Sequence, residues 1–373
     1  MWQPQGFYNQ YVLHQPIILS GNESVRGLYN YPAAKIAVIH GNSFKDKKIF
    51  EETFIKRDIR FIKRSWENEP DIEGLKGTIK ELEEYRPDTI IAVGGGSVID
   101  GSKLCRFFYE FPYYSFNETR ISGELFKTKF IAIPTTVGSG AEVSSAAVFV
   151  EKTKKKKDMV VIHELQPEVV VYDANYIANA PKKFLVMSIM DAMAHILEGY
   201  VSKIDNSVMD ILAEKALSMI NIELSNVLRG LDIDYQKLQY IGYIGGLVQN
   251  HCIVGAAHAV AHQLTEYGYS HCEAVAHLLV AVIRLNSINE VAKKRYERIA
   301  NLAGFSSLNE LLKFIEELCV YTEIDKTKEN LKSLLLERVN DIEFCDNVKS
   351  DKGGKGNPVE ITDDYICQLV RSI

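Results

Sequence analysis

The histidines of this 373-residue chain are concentrated where they could hold a metal ion. Five of the nine lie between His251 and His277. On an earlier segment, Asp191 and His195 are four residues apart, a spacing that places two side chains on one face of a helix. Because imidazoles one helical turn apart are a usual way to build a metal site, the pattern predicts a metal centre.

The two segments contain more candidate ligands than an ion needs. His258 and His262 repeat the four-residue spacing, and His271 follows a turn of sequence YGYS. One arrangement uses Asp191, His195, His258 and His271 as the ligands. His262 then faces the same cavity and is a candidate proton relay, since imidazole titrates near neutrality. We interpret His251 and His277 as structural. One carboxylate with imidazoles suits Fe(II) or Zn(II), and the sequence leaves both open.

A glycine-rich loop, Gly94–Ser97, follows an apolar strand and opens a helix. Glycines allow the backbone to approach a ligand closely, and a helix N-terminus favours an anion. Alternatively, the loop is a tight turn before a helix that Ser97 and Asp100 cap. Three consecutive glycines exceed what a cap requires, so we favour a phosphate cradle in this loop.

A second glycine-rich turn, IPTTVGSGAEVSS at 133–145, follows the next predicted strand. Its hydroxyl groups could line a sugar or a nicotinamide; they belong to Thr135, Thr136, Ser139, Ser144 and Ser145. The alternative is a hairpin turn in which Ser and Thr bond the local backbone.

The segments that must position these residues are predicted as strands alternating with helices, followed by helices alone. Apolar runs predict strands at 35–40, 88–97, 129–136 and 168–173, with helices at 73–85, after Ser97 and within KIFEETFIKRDIRFIKR. We interpret the lysine run 154–157 as part of a solvated polar loop. From Pro181 onward the spacing is helical, and DKGGKGNP (351–358) predicts a flexible linker. The prediction is therefore an α/β domain with a parallel sheet over residues 1–178 and an all-helical domain over 179–373.

The composition and net charge bear mainly on whether the protein binds nucleic acid or a membrane surface. The net charge of -6 and the pI of about 5.9 give no support for a nucleic-acid or membrane-surface partner. Six scattered cysteines without a CxxC pair predict reduced thiols in a cytoplasmic protein. The N-terminal segment has neither the basic nor the apolar region of a signal peptide, and no apolar stretch approaches the length that spans a bilayer.

Four motifs, in order, resemble those of the iron-dependent (group III) alcohol dehydrogenase superfamily. GGGSVIDGSK (94–103) is similar to its GGGSxxDxxK, and IPTTVGSGAEVSSAAV to its PTTxGTGSExT. DAMAHILEGYVS matches DAxxHxxExYxS, and AAHAVAHQL matches xxHxxxHxL. The resemblance implies a Rossmann-like dinucleotide-binding α/β domain, then an all-helical metal-binding domain: the dehydroquinate synthase-like fold, with its active site in the cleft between them.

The resemblance also implies roles for individual residues. It gives metal ligation to Asp191, His195, His258 and His271, and proton relay to His262. It gives pyrophosphate binding to Gly95, Gly96 and Ser97, and it places Lys157 at the position of a lysine that reaches the cofactor ribose. With these, the candidate cofactor-binding residues are Gly41, Ser43, Gly95, Gly96, Ser97, Asp100, Thr135, Thr136, Ser139, Ser144 and Lys157.

The end of the first long strand bears on cofactor choice. Members of this superfamily that prefer NAD tend to carry an aspartate there, which binds the ribose hydroxyls and repels a 2′-phosphate. This chain has VIHGNSF, with Gly41 and Ser43 instead. We therefore predict NADP(H) in preference to NAD(H).

The predicted activity is metal-assisted hydride transfer between NADPH and a small aldehyde, forming the alcohol. A reductase of acidic aldehydes, of the phosphonoacetaldehyde type, is an alternative. Rivals from other classes are a dehydroquinate synthase-like lyase, a metal-dependent hydrolase and a catalytically silent binding protein. The resemblance further implies a homodimer or a higher homo-oligomer. The charge balance predicts no nucleic-acid or membrane partner.

Overall fold

A six-stranded parallel sheet organises the N-terminal half of the computed structural model, which describes residues 15–42, 44–113, 126–151 and 156–373. The strand order is β1-β8-β5-β4-β2-β3. Its strands are β1 (Ile17–Ser20), β2 (Lys35–His40), β3 (Asp58–Lys63), β4 (Thr89–Gly94), β5 (Lys129–Pro134) and β8 (Val169–Tyr172). The two remaining strands, β6 (Ala146–Glu151) and β7 (Lys156–Val161), form a separate antiparallel pair.

Both faces of the sheet are covered, as expected of parallel strands. Alternate residues of β2 show this: Ile36 and Val38 join one apolar cluster, whereas Ala37 and Ile39 join the other. The covering helices are α1 (Lys47–Thr53), α2 (Ile72–Tyr85) and α3 (Gly96–Glu110). The β6–β7 pair packs against α3 through β6.

The C-terminal half is helical throughout the residues described. Its helices are α4 (Lys182–Tyr200), α5 (Ser207–Leu228), α6 (Tyr235–Cys252), α7 (Ala256–Ala261), α8 (His271–Asn286), α9 (Glu290–Leu302), α10 (Leu308–Thr322), α11 (Lys328–Arg338), α12 (Ile342–Ser350) and α13 (Asp363–Ser372). Helix α4 is central and packs against α5, α6, α8 and α10. Its buried stretch is apolar apart from Ser188 and three ionisable residues, Asp191, His195 and Glu198.

The predicted succession of a parallel α/β part and a helical part is confirmed. The boundary at 178/179 stays a prediction; the last sheet strand ends at Tyr172 and α4 begins at Lys182. None of the helices in the described part of the chain has the length and apolar character needed to cross a bilayer.

Three local features differ from the sequence analysis. The segment with the predicted short helix also contains strand β3, an edge strand whose buried and exposed residues partly alternate. The polar loop contains the β6–β7 pair, so the lysine run continues into a strand. The predicted linker is wrong at Gly353, Gly356 and Asn357, which are buried. Asn357 exchanges hydrogen bonds with Asn286, so this segment is part of the core.

Candidate metal centre and cofactor cleft

Three helices bring the four predicted metal ligands together. Asp191 and His195 lie one turn apart on α4, His258 lies on α7, and His271 is the first residue of α8. The start of α8 is fixed by Ser270, whose hydroxyl accepts a hydrogen bond from the Glu273 amide. The chain regions that supply His258 and His271 therefore converge on one face of α4.

The donor atoms have the spacing of a small cation site. Asp191 Oδ1 lies 3.6 Å from His258 Nε2 and 3.6 Å from His271 Nε2. Ligand atoms of Asp191, His195 and His258 all lie within 4.8 Å of one another. Atoms that bind a zinc ion tetrahedrally at about 2.0–2.1 Å are roughly 3.3–3.4 Å apart. The two 3.6 Å separations are close to that value.

Several of these donor atoms are buried and form no hydrogen bond. Asp191 and His195 are each 1 % exposed, and His258 is fully buried. Within the described residues, Asp191 Oδ1, both ring nitrogens of His195 and His258 Nε2 have no hydrogen-bond partner. Each unsatisfied buried polar group costs about 1–3 kcal/mol. A divalent cation would satisfy Asp191 Oδ1, His258 Nε2 and one ring nitrogen of His195, so the residues present fit a metal ion.

The electrostatics of the pocket also favour a cation. Burial lowers the pKa of His195 to about 4, so the ring is neutral near pH 7 and one of its nitrogens has a lone pair available for a metal ion. Burial opposes ionisation of Asp191, but the surrounding histidines outweigh it and hold the pKa of that carboxyl below its ordinary value. Burial likewise opposes protonation of His258, yet the carboxylates of Asp191 and Glu198 raise its pKa to about 9. The carboxylates therefore attract positive charge to this point.

Glu198 orients one ligand and was not singled out from the sequence. Its Oε2 accepts from His258 Nδ1 at 2.6 Å, and its Oε1 accepts from the Ala257 amide at 2.7 Å. This fixes the tautomer of His258 and leaves Nε2 directed at the other donors, as is typical of metal-bound histidines. An acidic residue one turn after His195 on an apolar helix was the available sequence signal.

The candidate proton relay lies beside the donors and is held by an aspartate. The His262 and His271 rings are stacked, with centroids 5.3 Å apart. His262 Nδ1 lies 3.0 Å from Asp351 Oδ2, and the other oxygen of Asp351 accepts from the Gly353 amide at 2.7 Å. His262 and Asp351 line one cleft together with Met159 of β7. Asp351 was missed because it begins the segment that composition marked as a linker.

Of the other histidines in the cluster, two have partners outside the donor set. His251 Nδ1 lies 2.8 Å from the carbonyl oxygen of Leu247. His277 Nε2 lies 2.9 Å from Thr327 Oγ1, and burial lowers the pKa of His277 to about 4. Both arrangements agree with the structural interpretation.

The phosphate loop lies where β4 meets α3. Gly95 is the N-cap of α3, so the capping interpretation that used Ser97 and Asp100 is wrong. Ser97 is instead the second helical residue. The first N–H groups of a helix have no intrahelical acceptor. Because α3 directly follows β4, those of α3 lie at the carboxyl end of that strand.

Asp100 has an internal role. Its carboxylate accepts from the Val148 amide at 3.1 Å and lies 3.4 Å from the buried ammonium group of Lys103. Lys103 donates to the carbonyl oxygens of Ala141, Ser144 and Ala146. The pair therefore holds the second glycine-rich turn against α3.

That turn joins the phosphate loop to the metal centre. A Cβ on Gly95 would lie 3.0 Å from Thr136 Cγ2, and one on Gly96 would lie 2.6 Å from Ser139 Oγ. At the same turn, a Cβ on Gly138 would lie 2.6 Å from the Ser188 carbonyl oxygen and 3.3 Å from Asp191 Oδ2. One short segment thus contacts both candidate sites.

The remaining predicted cofactor residues are distributed around this edge. The Thr135 amide donates to the Gly94 carbonyl oxygen, and Ser144 Oγ accepts from the Ala146 amide. Gly41 directly follows β2. Ser43 lies outside the described residues, and so does the side chain of Lys157, whose backbone belongs to β7. Their roles in cofactor binding stay predictions.

Comparisons with known proteins cover nearly the whole chain. The family described as "Iron-containing alcohol dehydrogenase" matches residues 16–174, and "Fe-containing alcohol dehydrogenase family, C-terminal" matches residues 185–373. An alcohol dehydrogenase of Thermococcus barophilus is 29% identical over 315 residues, 81% of each chain. An NADPH-dependent butanol dehydrogenase of Clostridium saccharobutylicum is 29% identical over 272 residues, 70% of each chain.

A solved structure shows the same architecture. The iron-containing alcohol dehydrogenase from Thermococcus thioreducens superimposes with a TM-score of 0.85 at 26% identity. The match covers 95% of this chain and 97% of that one.

Proposed function

The chain belongs to the iron-containing alcohol dehydrogenase family, and from this premise we propose that it reduces a small aldehyde to its alcohol with NADPH. The observation that carries the proposal is the set of buried, unsatisfied donors around Asp191, next to a turn that also contacts the phosphate loop. A metal-polarised carbonyl and a nicotinamide would meet at this junction. Family membership favours a dehydrogenase over the lyase and hydrolase alternatives.

Each part of the chain has a defined task in this proposal. Asp191, His195, His258 and His271 would hold Fe(II) or Zn(II), and Glu198 would orient His258. When bound, the ion supplies Lewis acidity toward the carbonyl oxygen and the nicotinamide supplies the hydride. The loop at Gly95–Ser97 and the turn at 135–144 would bind and orient the cofactor.

Protonation of the product would fall to His262. Its Nδ1 is held by Asp351, which directs the other ring nitrogen away from that carboxylate. His262 lines the cleft, so this imidazole can exchange protons with solvent and deliver one to the alcohol oxygen.

Two observations support NADPH over NADH. Gly41 stands where a carboxylate would repel a 2′-phosphate, and one relative of similar length is an NADPH-dependent enzyme. We further propose that the protein acts in the cytoplasm as a homodimer or a higher homo-oligomer. Light scattering coupled to gel filtration measures the assembly state.

The deciding experiment is NADPH consumption with a panel of short-chain and acidic aldehydes. Metal-stripped protein, reconstituted with Fe(II) anaerobically or with Zn(II), is compared with the stripped protein. We expect metal-dependent turnover with at least one aldehyde and a higher kcat/KM for NADPH than for NADH. Absence of turnover with every aldehyde and both metals would contradict the proposal, and a strong NADH preference would contradict its cofactor part.

A further inference from the structure

Arg64 lies on the edge of the sheet that carries the phosphate loop. It follows β3 directly, and its amide donates to the carbonyl oxygen of His40, the last residue of β2, at 3.0 Å. The next residue after β2, Gly41, donates to Val93 of β4 at 3.4 Å. The ends of β3, β2 and β4 therefore form one continuous edge, and in open α/β sheets ligands bind outside the carboxyl ends of the strands.

The guanidinium of Arg64 contacts the phosphate loop itself. Its Nη1 donates to Ser97 Oγ at 2.9 Å and to the Asn68 carbonyl oxygen at 3.2 Å. The group lies 5.9 Å from the centre of the Trp66 ring. These contacts hold the cation at the start of α3, on the β2–β3 side of the loop.

In the described part of the chain, no carboxylate lies within ion-pair distance of this cation. Both hydrogen-bond acceptors are uncharged oxygens, and Arg64 forms no ion pair within 4.0 Å among the residues that the structure describes. Burial lowers the pKa of Arg64, while Glu69 acts in the opposite direction from a longer distance. A half-buried guanidinium with spare N–H groups is suited to an anionic ligand.

The missing carboxylate at the end of β2 is not imposed by packing. Among the described residues, a Cβ on Gly41 would meet Val98 Cγ2 at 3.4 Å, an ordinary contact. The first atom of a side chain therefore fits at this position, where the chain has glycine. At this edge Arg64 supplies a positive charge and Gly41 supplies no negative one. This charge pattern favours a second phosphate on the adenosine side of a dinucleotide.

We propose that Arg64 binds the 2′-phosphate of NADP(H) and is the residue that determines cofactor specificity. The inference rests on the proposed use of a nicotinamide dinucleotide. A guanidinium can donate two parallel hydrogen bonds to one phosphate, which gives discrimination as well as affinity. The other phosphate within reach of this edge is the pyrophosphate, which NAD(H) and NADP(H) share, and the experiment separates the two.

The test measures binding to the metal-loaded, full-length protein. Dissociation constants of NADPH and NADH, and of adenosine 2′,5′-bisphosphate and adenosine 5′-monophosphate, are compared for wild type, Arg64→Gln and Arg64→Lys. We expect Arg64→Gln to weaken the two ligands with a 2′-phosphate by about tenfold or more. The loss for the two ligands without it should be several-fold smaller, and Arg64→Lys should retain part of the affinity.

A second variant keeps the test independent of damage at Arg64. Gly41→Asp leaves the arginine in place and should shift the preference toward NADH through repulsion of the 2′-phosphate. Equal weakening of both ligand pairs by Arg64→Gln would assign Arg64 to the pyrophosphate and overturn the proposal, as would no change in either pair. Wild-type protein that binds neither dinucleotide would instead contradict the proposed function itself.

Discussion

The metal centre and the phosphate loop are built by opposite means. At the metal centre, side-chain donors such as His195 are buried without protein partners. At the loop, ligand binding would depend on backbone, and the space beside each glycine is already filled: Thr136 adjoins Gly95 and Ser139 adjoins Gly96. The metal centre is recognised by buried donor atoms that form no hydrogen bond. The loop is recognised by glycines, which have no side chain.

This difference determines how strongly each region supports a function. A buried imidazole whose nitrogens have no hydrogen-bond partner carries a free-energy cost, which a metal ion bound at one of them would reduce, so it points to a ligand. A glycine that avoids a clash is explained by packing alone. Substitutions at the metal centre therefore test ligand binding, whereas substitutions at the loop test packing unless the two effects are separated.

The largest effect is expected from Asp191→Asn. The change keeps the shape of the side chain but removes the only negative charge among the four donors, so metal affinity should fall by more than about hundredfold, beyond the usual effect of an outer residue. Metal content after dialysis against a weak chelator measures the loss. The matched control is His277→Gln, a buried histidine bonded to Thr327 outside the donor set, which should keep its metal.

Unchanged metal content in Asp191→Asn would show that the unsatisfied atoms are not a metal site. Loss of the ion from the His277→Gln control as well would indicate general damage to the helical half. Thermal melting of the metal-free proteins distinguishes the second case, since general damage would lower the Tm of metal-free His277→Gln. Asp191→Asn should itself melt below wild type without metal, because it removes the carboxylate that faces buried His258.

A smaller effect, about ten- to hundredfold in metal affinity, is expected from Glu198→Gln. The amide can still accept from Ala257, but it no longer attracts the proton on His258 Nδ1 as a carboxylate does, which lowers the basicity of Nε2. Competition with a chromophoric chelator for Zn(II) gives the affinity. Glu223→Gln is the control, because Glu223 is also a buried glutamate and bonds Asp234 and Lys237 instead. Equal affinities for Glu198→Gln and wild type would remove Glu198 from the metal site.

The sequence predicted the candidate metal ligands better than it predicted the residues that hold the histidines in place. Asp191 and His195 were found because helical spacing is visible in the chain, and the family resemblance selected His258 and His271 from the surplus. Asp351 approaches His262 from 89 residues away, and no local pattern encodes that contact. The buried carboxylate of Glu198 was visible in its motif, but its bond to His258 depends on the packing of α7 against α4.

Errors in the fold have a similar origin. The parallel strands β4 and β5 are continuous apolar runs and were found, whereas β3 lies at the sheet edge and carries charged residues in alternation, so it resembled the end of a helix. The segment at 351–358 has the composition of a linker. Its burial comes from long-range bonds of Asn357 to Asn286 and to the Ala256 amide, which composition does not reveal.

The smallest expected effect, about tenfold in NADPH affinity, comes from Gly96→Ala, and a double mutant separates its two causes. The added Cβ would lie 2.6 Å from Ser139 Oγ and 2.9 Å from Ser139 Cβ, so Ser139→Gly should relieve the clash. We expect the double variant to regain the Tm of the Ser139→Gly protein but not its affinity for NADPH, because a phosphate on the loop needs the bare backbone of Gly96.

Recovery of both the Tm and the NADPH affinity would mean that glycine is needed at position 96 for packing alone. Metal content should be unchanged in all three variants, since Gly138 still separates this contact from Asp191; a fall in metal content would show that the turn couples the two sites.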